Sequence, residues 1–186
     1  MLAVFHSFQT IGFYGFGNWV PKLISSQGIE ITSSLRYAFL IAIVYPLAPF
    51  VFTSIADRFE RKWQIVGSAA GTGAFGLLFA AQTNPLMLIV LGVLITMSNN
   101  LMSYSYHTYQ TELFPTEIRA RAVGFVYSFS RLSTIFTSFA IAFVLGRFGI
   151  VGVFLFIASS MAVVVVAIGC FGPRTRDMRL EVIAVE

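Results

Sequence analysis

The sequence predicts an all-α membrane protein of six transmembrane helices, and three observations carry the prediction. Hydrophobic residues make up 57% of the chain and charged ones 11%, with a mean hydropathy of +0.82, whereas a soluble domain is about a quarter charged. Apolar stretches recur six times, each near the roughly 20 residues an α-helix needs to cross a hydrocarbon core of about 30 Å. The charged residues collect in the short gaps between them. The first stretch has no basic leader or small-residue cleavage site and contains Gln9 and Asn18, so it does not read as a secretory signal. The single Cys170 excludes an intrachain disulfide and leaves the redox compartment open. The net charge of +4 reads as loop arginines that set orientation, not as a nucleic-acid footprint.

In chain order the spans fall at about 3–25, 35–56, 63–82, 86–110, 121–146 and 149–172, so residues 1–172 form one bundle and 173–186 a tail. Short connections make neighbours antiparallel. One side then holds Arg58, Arg61, Lys62, Arg119, Arg121, Arg174, Arg176 and Arg179, the other Lys22, Arg36 and Arg147. The excess marks the cytoplasmic side and places both termini and the tail there, in a plasma (inner) membrane protein. The first span carries Gln9, Tyr14 and Asn18, the fourth Asn99, Asn100, Tyr104 and His107, the fifth Arg131. Polar groups at that depth need partners or water, so these three spans should surround a cavity. The second is intermediate, with Pro46 and Pro49 expected to kink it or loosen its ladder. The third and sixth have no ionisable residue beyond their ends and read as lipid-facing. Two lining helices followed by a peripheral one, twice over, is the pattern of a 3+3 inverted repeat. Small residues of the third span, Gly67 to Gly76, point to close helix packing and not to a phosphate loop.

The stretch Glu112–Arg131 organises the rest. It opens with Glu112, Pro115, Glu117, Arg119 and Arg121, then becomes an apolar helix that carries Arg131 about 15 Å further on. An arginine near the midplane must find an anion, carbonyls or water. Its planar fork fits a carboxylate bidentately. Asn100, Tyr104 and His107 follow i, i+4, i+7 and share one face, which suits either substrate contact or interhelical hydrogen bonding. The loop Asp57-Arg58-Phe59-Glu60-Arg61-Lys62 alternates in sign, and Glu112 and Arg119 on the same membrane face could partner it. Asp57, Arg58, Arg61, Lys62, Glu112 and Arg119 are therefore expected to form a gating latch, with plain orientation signalling as the other reading.

Four motifs in order resemble the major facilitator superfamily, and within it the C-terminal six helices of the sugar-porter and metabolite:proton symporter branch. They are Asp57, Arg58, Arg61 and Lys62 in one loop; Glu112 and Arg119 around Pro115-Thr116; Pro173, Thr175, Leu180 and Glu181 in the tail; and Gln9, Gly12 and Pro21 in the first span. The departures are Glu60 for a loop glycine, Arg174 and Asp177 in the tail, Tyr14 for a sugar-reading asparagine, and Ser103, Tyr104 and His107 for a glycine-proline-tryptophan run. The resemblance implies half of a twelve-helix, alternating-access carrier, either a fragment, a truncated product or a split-protein partner. It also implies that Arg131 faces the cavity, as in symporters that move organic acids, and that the proton-coupling carboxylates lie in the missing N-terminal half.

The expected function is therefore transport of a small, anionic organic metabolite, proton-coupled in the intact protein, with Gln9, Tyr14, Asn100, Tyr104, His107 and Arg131 at the substrate. The alternatives are a sugar or polyol porter half, or a six-helix membrane protein that does not transport. Enzyme chemistry is not expected: only His6 and His107 could serve as an imidazole base, and no nucleophile stands in a strained turn. No cofactor, metal or nucleic acid is expected. The expected partners are the small-molecule substrate, membrane lipid and the missing six-helix half.

Overall fold

The computed structural model describes residues 1–26, 28–56 and 59–175, with backbone only at 51 and 53–56. The helices are α1 (Leu2–Gly17), α2 (Val20–Ser25), α3 (Ile31–Ala42), α4 (Val44–Ala56), α5 (Arg61–Ala80), α6 (Pro85–Glu112) and α7 (Arg119–Phe171). Among the described residues there is no strand. Among the described residues four helical stretches, Ile31–Phe50, Arg61–Ala80, Pro85–Glu112 and Arg119–Phe171, are long and apolar enough to cross a membrane. The expected latch residues Asp57 and Arg58, and Asp177, Leu180 and Glu181 of the tail motif, lie outside the described residues.

The breaks have local causes. α1 ends in a turn at Asn18 and Trp19, and α2 restarts with Pro21 in its first turn, where no backbone N–H is needed. α3 and α4 part at Ile43, which keeps helical torsions (φ −56°, ψ −26°). Pro46, two residues into α4, cannot donate to Ala42, so the ladder loosens there without a change of direction. α7 is two arms that meet at Gly149, whose φ of 64° and ψ of −165° no side-chain-bearing residue adopts easily. The first arm runs from 119 to 148 and the second from 150 to 171.

The core lies between α1, α5, α6 and the second arm. Phe16, Phe79 and Phe154 meet at its centre, with ring centroids 5.3–6.2 Å apart. α5 fits against the second arm because its inner face is small. A Cβ at Gly73 would stand 3.6 Å from the Cα of Ala158, and one at Gly76 only 2.8 Å from the Phe154 ring. This corrects the expectation that the third and sixth spans are peripheral. Their outer faces are exposed at Leu78, Leu155 and Val166, but their inner faces, including Ile65, Ala69, Phe79, Phe154, Ile157 and Val164, are core. The least buried stretches are instead α3, which buries only Ser34 and Ile41, and the first arm, which buries only Ser130, Thr137 and Ile141.

Candidate functional site

α1, α6 and the first arm of α7 converge on a cavity of about 110 Å³ lined by Gln9, Phe13, Tyr14, Ser103, Tyr106, His107, Tyr127 and Ser130. A second cavity, about 230 Å³, opens beside it between α4 and α6. Its walls are Pro49, Phe52, Asn100, Ser103, Tyr104 and His107. Ser103 and His107 belong to both, so the two spaces share one wall. The helix pairing behind this is tight. Thr10 Oγ1 donates to Ser130 Oγ at 3.3 Å, and Ser133 Oγ donates to the Ser7 carbonyl at 2.6 Å. α1 and the first arm are thus held together by hydroxyls that would be costly to leave unpaired in lipid.

The structure brings five of the six sequence-predicted substrate residues to these two cavities, and Arg131, expected to face the cavity, lines neither. Gln9, Tyr14 and His107 line the smaller cavity, and Asn100, Tyr104 and His107 the larger. Asn100 donates its amide to the Thr96 carbonyl of its own helix at 2.8 Å. Its neighbour Asn99 is buried and accepts from Thr72 at 3.4 Å, a packing contact. Arg131 is exposed and reaches the wall through Tyr127, one turn earlier. Its Nη2 donates to the Tyr127 hydroxyl at 2.7 Å, and its Cζ lies 4.9 Å from the ring centroid. Among the described residues Arg131 has no acidic partner. Ser128 and Thr134, flanking it in sequence, donate instead to the Phe125 and Ser130 carbonyls of their own helix. Among the described residues no three His, Cys, Asp or Glu side chains come together to hold a metal ion.

Sequence reasoning missed Tyr127, Tyr106, Ser103 and Gln110. The signal for Tyr127 was its i, i+4 spacing from Arg131. For Gln110 it was the i, i+3 spacing from His107, at the end of a predicted span.

A second cluster lies at the far end of α6. Arg61 Nε donates to Glu112 Oε1 at 2.7 Å, and both side chains are about four-fifths buried, at 19% and 22% exposure. Arg119, expected to face Glu112, turns back on its own loop. It donates to the Phe114 carbonyl at 3.1 Å and to Thr116 Oγ1 at 3.3 Å. Lys62 stands 5.5 Å over the Trp63 ring. The start of the tail is held here too: Thr175 N donates to Glu60 Oε1 at 2.9 Å, and the Tyr109 hydroxyl donates to the Pro173 carbonyl at 2.8 Å. Gln64 ties both helices, donating to the Phe59 carbonyl at 2.7 Å and accepting from Ser105 at 2.8 Å.

An all-helical, largely apolar chain with a polar cavity among its helices and a charge cluster at one end has relatives of known class. The family model described as the Major Facilitator Superfamily matches residues 2–183. YyaJ of Bacillus subtilis, assigned by its name to metabolite transport, is 34% identical over 97% of this chain and 40% of its own length. The cis,cis-muconate transport protein of Acinetobacter baylyi is 28% identical over 76% of this chain and 34% of its own. The niacin transporter NiaP of the same organism is 24% identical over 93% of this chain and 40% of its own. The chain spans about two fifths of the length of the curated relatives it matches. Its helices are those of an integral membrane protein, and the chain belongs to the major facilitator superfamily, among relatives named for metabolite transport.

Proposed function

We propose that this chain supplies the C-terminal six helices of a twelve-helix, alternating-access carrier for a small anionic organic metabolite, moved together with a proton. The observation that carries the reading is Arg131. Its guanidinium keeps its charge at any relevant pH, and its partner among the described residues is the neutral Tyr127. A cation so placed on the face of a membrane helix calls for an anion. A carboxylate from the solute would accept two of its N–H groups at once. Gln9, Tyr14, Asn100, Tyr104 and His107 supply further donors, acceptors and ring faces around it. Relatives named for muconate and for niacin support an acid with a flat, unsaturated body.

Six spans follow from pairing α1 with α2, α3 with α4, and splitting α7 at Gly149. The excess of Lys and Arg near the Arg61 end puts that end, and both termini, on the cytoplasmic side of the plasma membrane. There Arg61 and Glu112, with Glu60 and Thr175 beside them, act as a latch that closes in one access state and opens in the other. Lys62 and Arg119 add charge beside it, and Asp57 and Arg58, outside the described residues, are proposed to act with them.

A panel of labelled solutes offered to the intact carrier in proteoliposomes tests this. Aromatic and unsaturated carboxylates should enter and compete with one another, while their amides and neutral hexoses should not. Uptake of a hexose undisturbed by excess carboxylate would contradict the reading.

A further inference from the structure

The two histidines of the chain stand on opposite sides of one amide. His6 Nε2 donates to Gln110 Oε1 at 3.0 Å, and Gln110 Nε2 donates to His107 Nδ1 at 3.4 Å. Their settings differ. His6 is fully buried, its ring boxed by Phe5, Tyr106 and Tyr127 at centroid distances of 5.6, 5.2 and 5.7 Å, each nearly perpendicular. His107 is exposed, lines both cavities, and stacks on Tyr106 at 4.2 Å. The Nδ1 of His6 is buried and has no hydrogen-bond partner. Such a group is costly unless something binds it.

We propose that His6, Gln110 and His107 form a site for one proton, taken up from the cavity at His107 and shared with the buried ring of His6. This rests on the transport reading above and adds the place where a coupling proton is held in this chain. A neutral imidazole has one N–H and one lone pair; an imidazolium has two N–H groups; a glutamine offers one oxygen and one NH₂. As arranged, the Gln110 oxygen faces an N–H of His6 and its NH₂ faces a lone pair of His107, so the neutral pair is matched.

A proton added at the open Nδ1 of His6 leaves every one of these bonds in place. A proton added at Nδ1 of His107 removes the lone pair that Gln110 uses. The amide must then turn over, giving its oxygen to His107 and its NH₂ to Nε2 of His6, whose own proton sits on Nδ1. Both charged arrangements hold three ring protons where the neutral pair holds two. A fourth would set an N–H of each ring against an amide with one oxygen. The pair therefore takes one proton, and the amide's orientation follows the ring that holds it.

Among the described residues, the side chains that line the two cavities beside the pair include no carboxylate. Tyr14 comes from α1, Tyr104 and Tyr106 from α6, and Tyr127 from α7 with Arg131 on its hydroxyl. α4 contributes Pro49 and Phe52. The ionisable side chains of α5, Arg61 and Lys62, stand in its first turn, where Arg61 pairs with Glu112. Arg131, on the Tyr127 hydroxyl, is a fixed cation close to the pair, since the Tyr127 ring lies 5.7 Å from that of His6. An anion bound to Arg131 offsets its repulsion of the added proton, so proton and anion each favour the other's binding.

Nitrogen-15 NMR of histidine in the intact protein, in lipid nanodiscs, tests the site, with His6→Gln and His107→Gln assigning the signals. Between about pH 5 and pH 8, the range in which histidine titrates, both rings should shift in one common step. His107→Gln alters an exposed side chain, so the fold persists, and it should move the step seen at His6. Gln110→Leu should split the common step in two. Gln110→Glu, with two oxygens, should admit a second proton. Rings that titrate independently, with midpoints indifferent to Gln110→Leu and His107→Gln, would overturn the proposal. So would a His6 signal that never moves. Neither outcome touches the anion reading, because no transport is measured. Conversely, a common step that persists alongside uptake indifferent to Arg131 would remove the anion reading alone.

Discussion

Arg131 and Tyr127 stand one helical turn apart, and their pairing shows how a charged side chain is kept in place on an apolar helix. The hydroxyl takes one N–H and the ring shields the guanidinium face. Tyr127→Phe removes the first interaction and keeps the second. A hydrogen bond of this kind contributes about 0.5–1.5 kcal/mol, so the affinity of the intact carrier for its anion should fall by roughly 2–10-fold, read from competition in uptake. Tyr127→Leu removes both and should cost more. Most of this wall was legible in the sequence because amides, phenols and an imidazole are conspicuous in spans made of Phe, Leu and Val. Tyr127 and Gln110 were not. A tyrosine among twenty Phe and seven Tyr attracts no notice until its partner is known. Gln110 gains its full meaning only once His6, 104 residues away, is seen to share its amide with His107.

The helices carry their own predictions. Gly149 joins the two arms of α7 at a φ of 64°, and a Cβ there would meet nothing within 4 Å. Gly149→Ala should therefore destabilise through backbone strain alone, by about 1–3 kcal/mol, seen as a lower melting temperature in detergent. Gly67→Ala, also in open space but in a regular helix, should leave stability unchanged or raise it by about 0.5–1 kcal/mol. Where the start of α5 meets the end of α6, Glu112→Gln keeps the shape of the Arg61 contact and removes its charge. The amide oxygen can still accept from Arg61 Nε, so the fold should persist. The latch should loosen, with faster thiol labelling at that end, and the Arg61→Gln, Glu112→Gln double variant should label no faster than either single one. Element type, order and the break before residue 149 were legible from hydropathy and glycine. The packing of α5 was not. An uncharged, glycine-rich helix reads as lipid-facing, and only the second arm lying against its small residues shows that one face is core.

For the whole molecule the exposed apolar surface matters most. Phe39 and Phe50 of the α3–α4 stretch and Phe125, Phe136 and Phe139 of the first arm are 63–78% exposed, and the first arm also carries the site. A helix that presents both to the outside fits a wall meant to face a second six-helix half. Cysteines at positions 60 and 117 should label from the cytoplasmic side and one at 83 from the opposite side, which checks the orientation proposed from the charge bias. The family was within reach of the sequence because loop motifs are local. Which solute enters was not, since it depends on side chains from distant spans meeting at one wall. The measurement that bears most directly on the central claim is carboxylate uptake by the intact carrier with Arg131→Lys and Arg131→Gln. Lysine keeps the charge and loses the planar fork; glutamine loses both. Uptake should weaken in Arg131→Lys and be nearly abolished in Arg131→Gln, with both proteins present in the membrane at normal levels. Carboxylate uptake by Arg131→Gln at the rate of the unaltered carrier would contradict the claim.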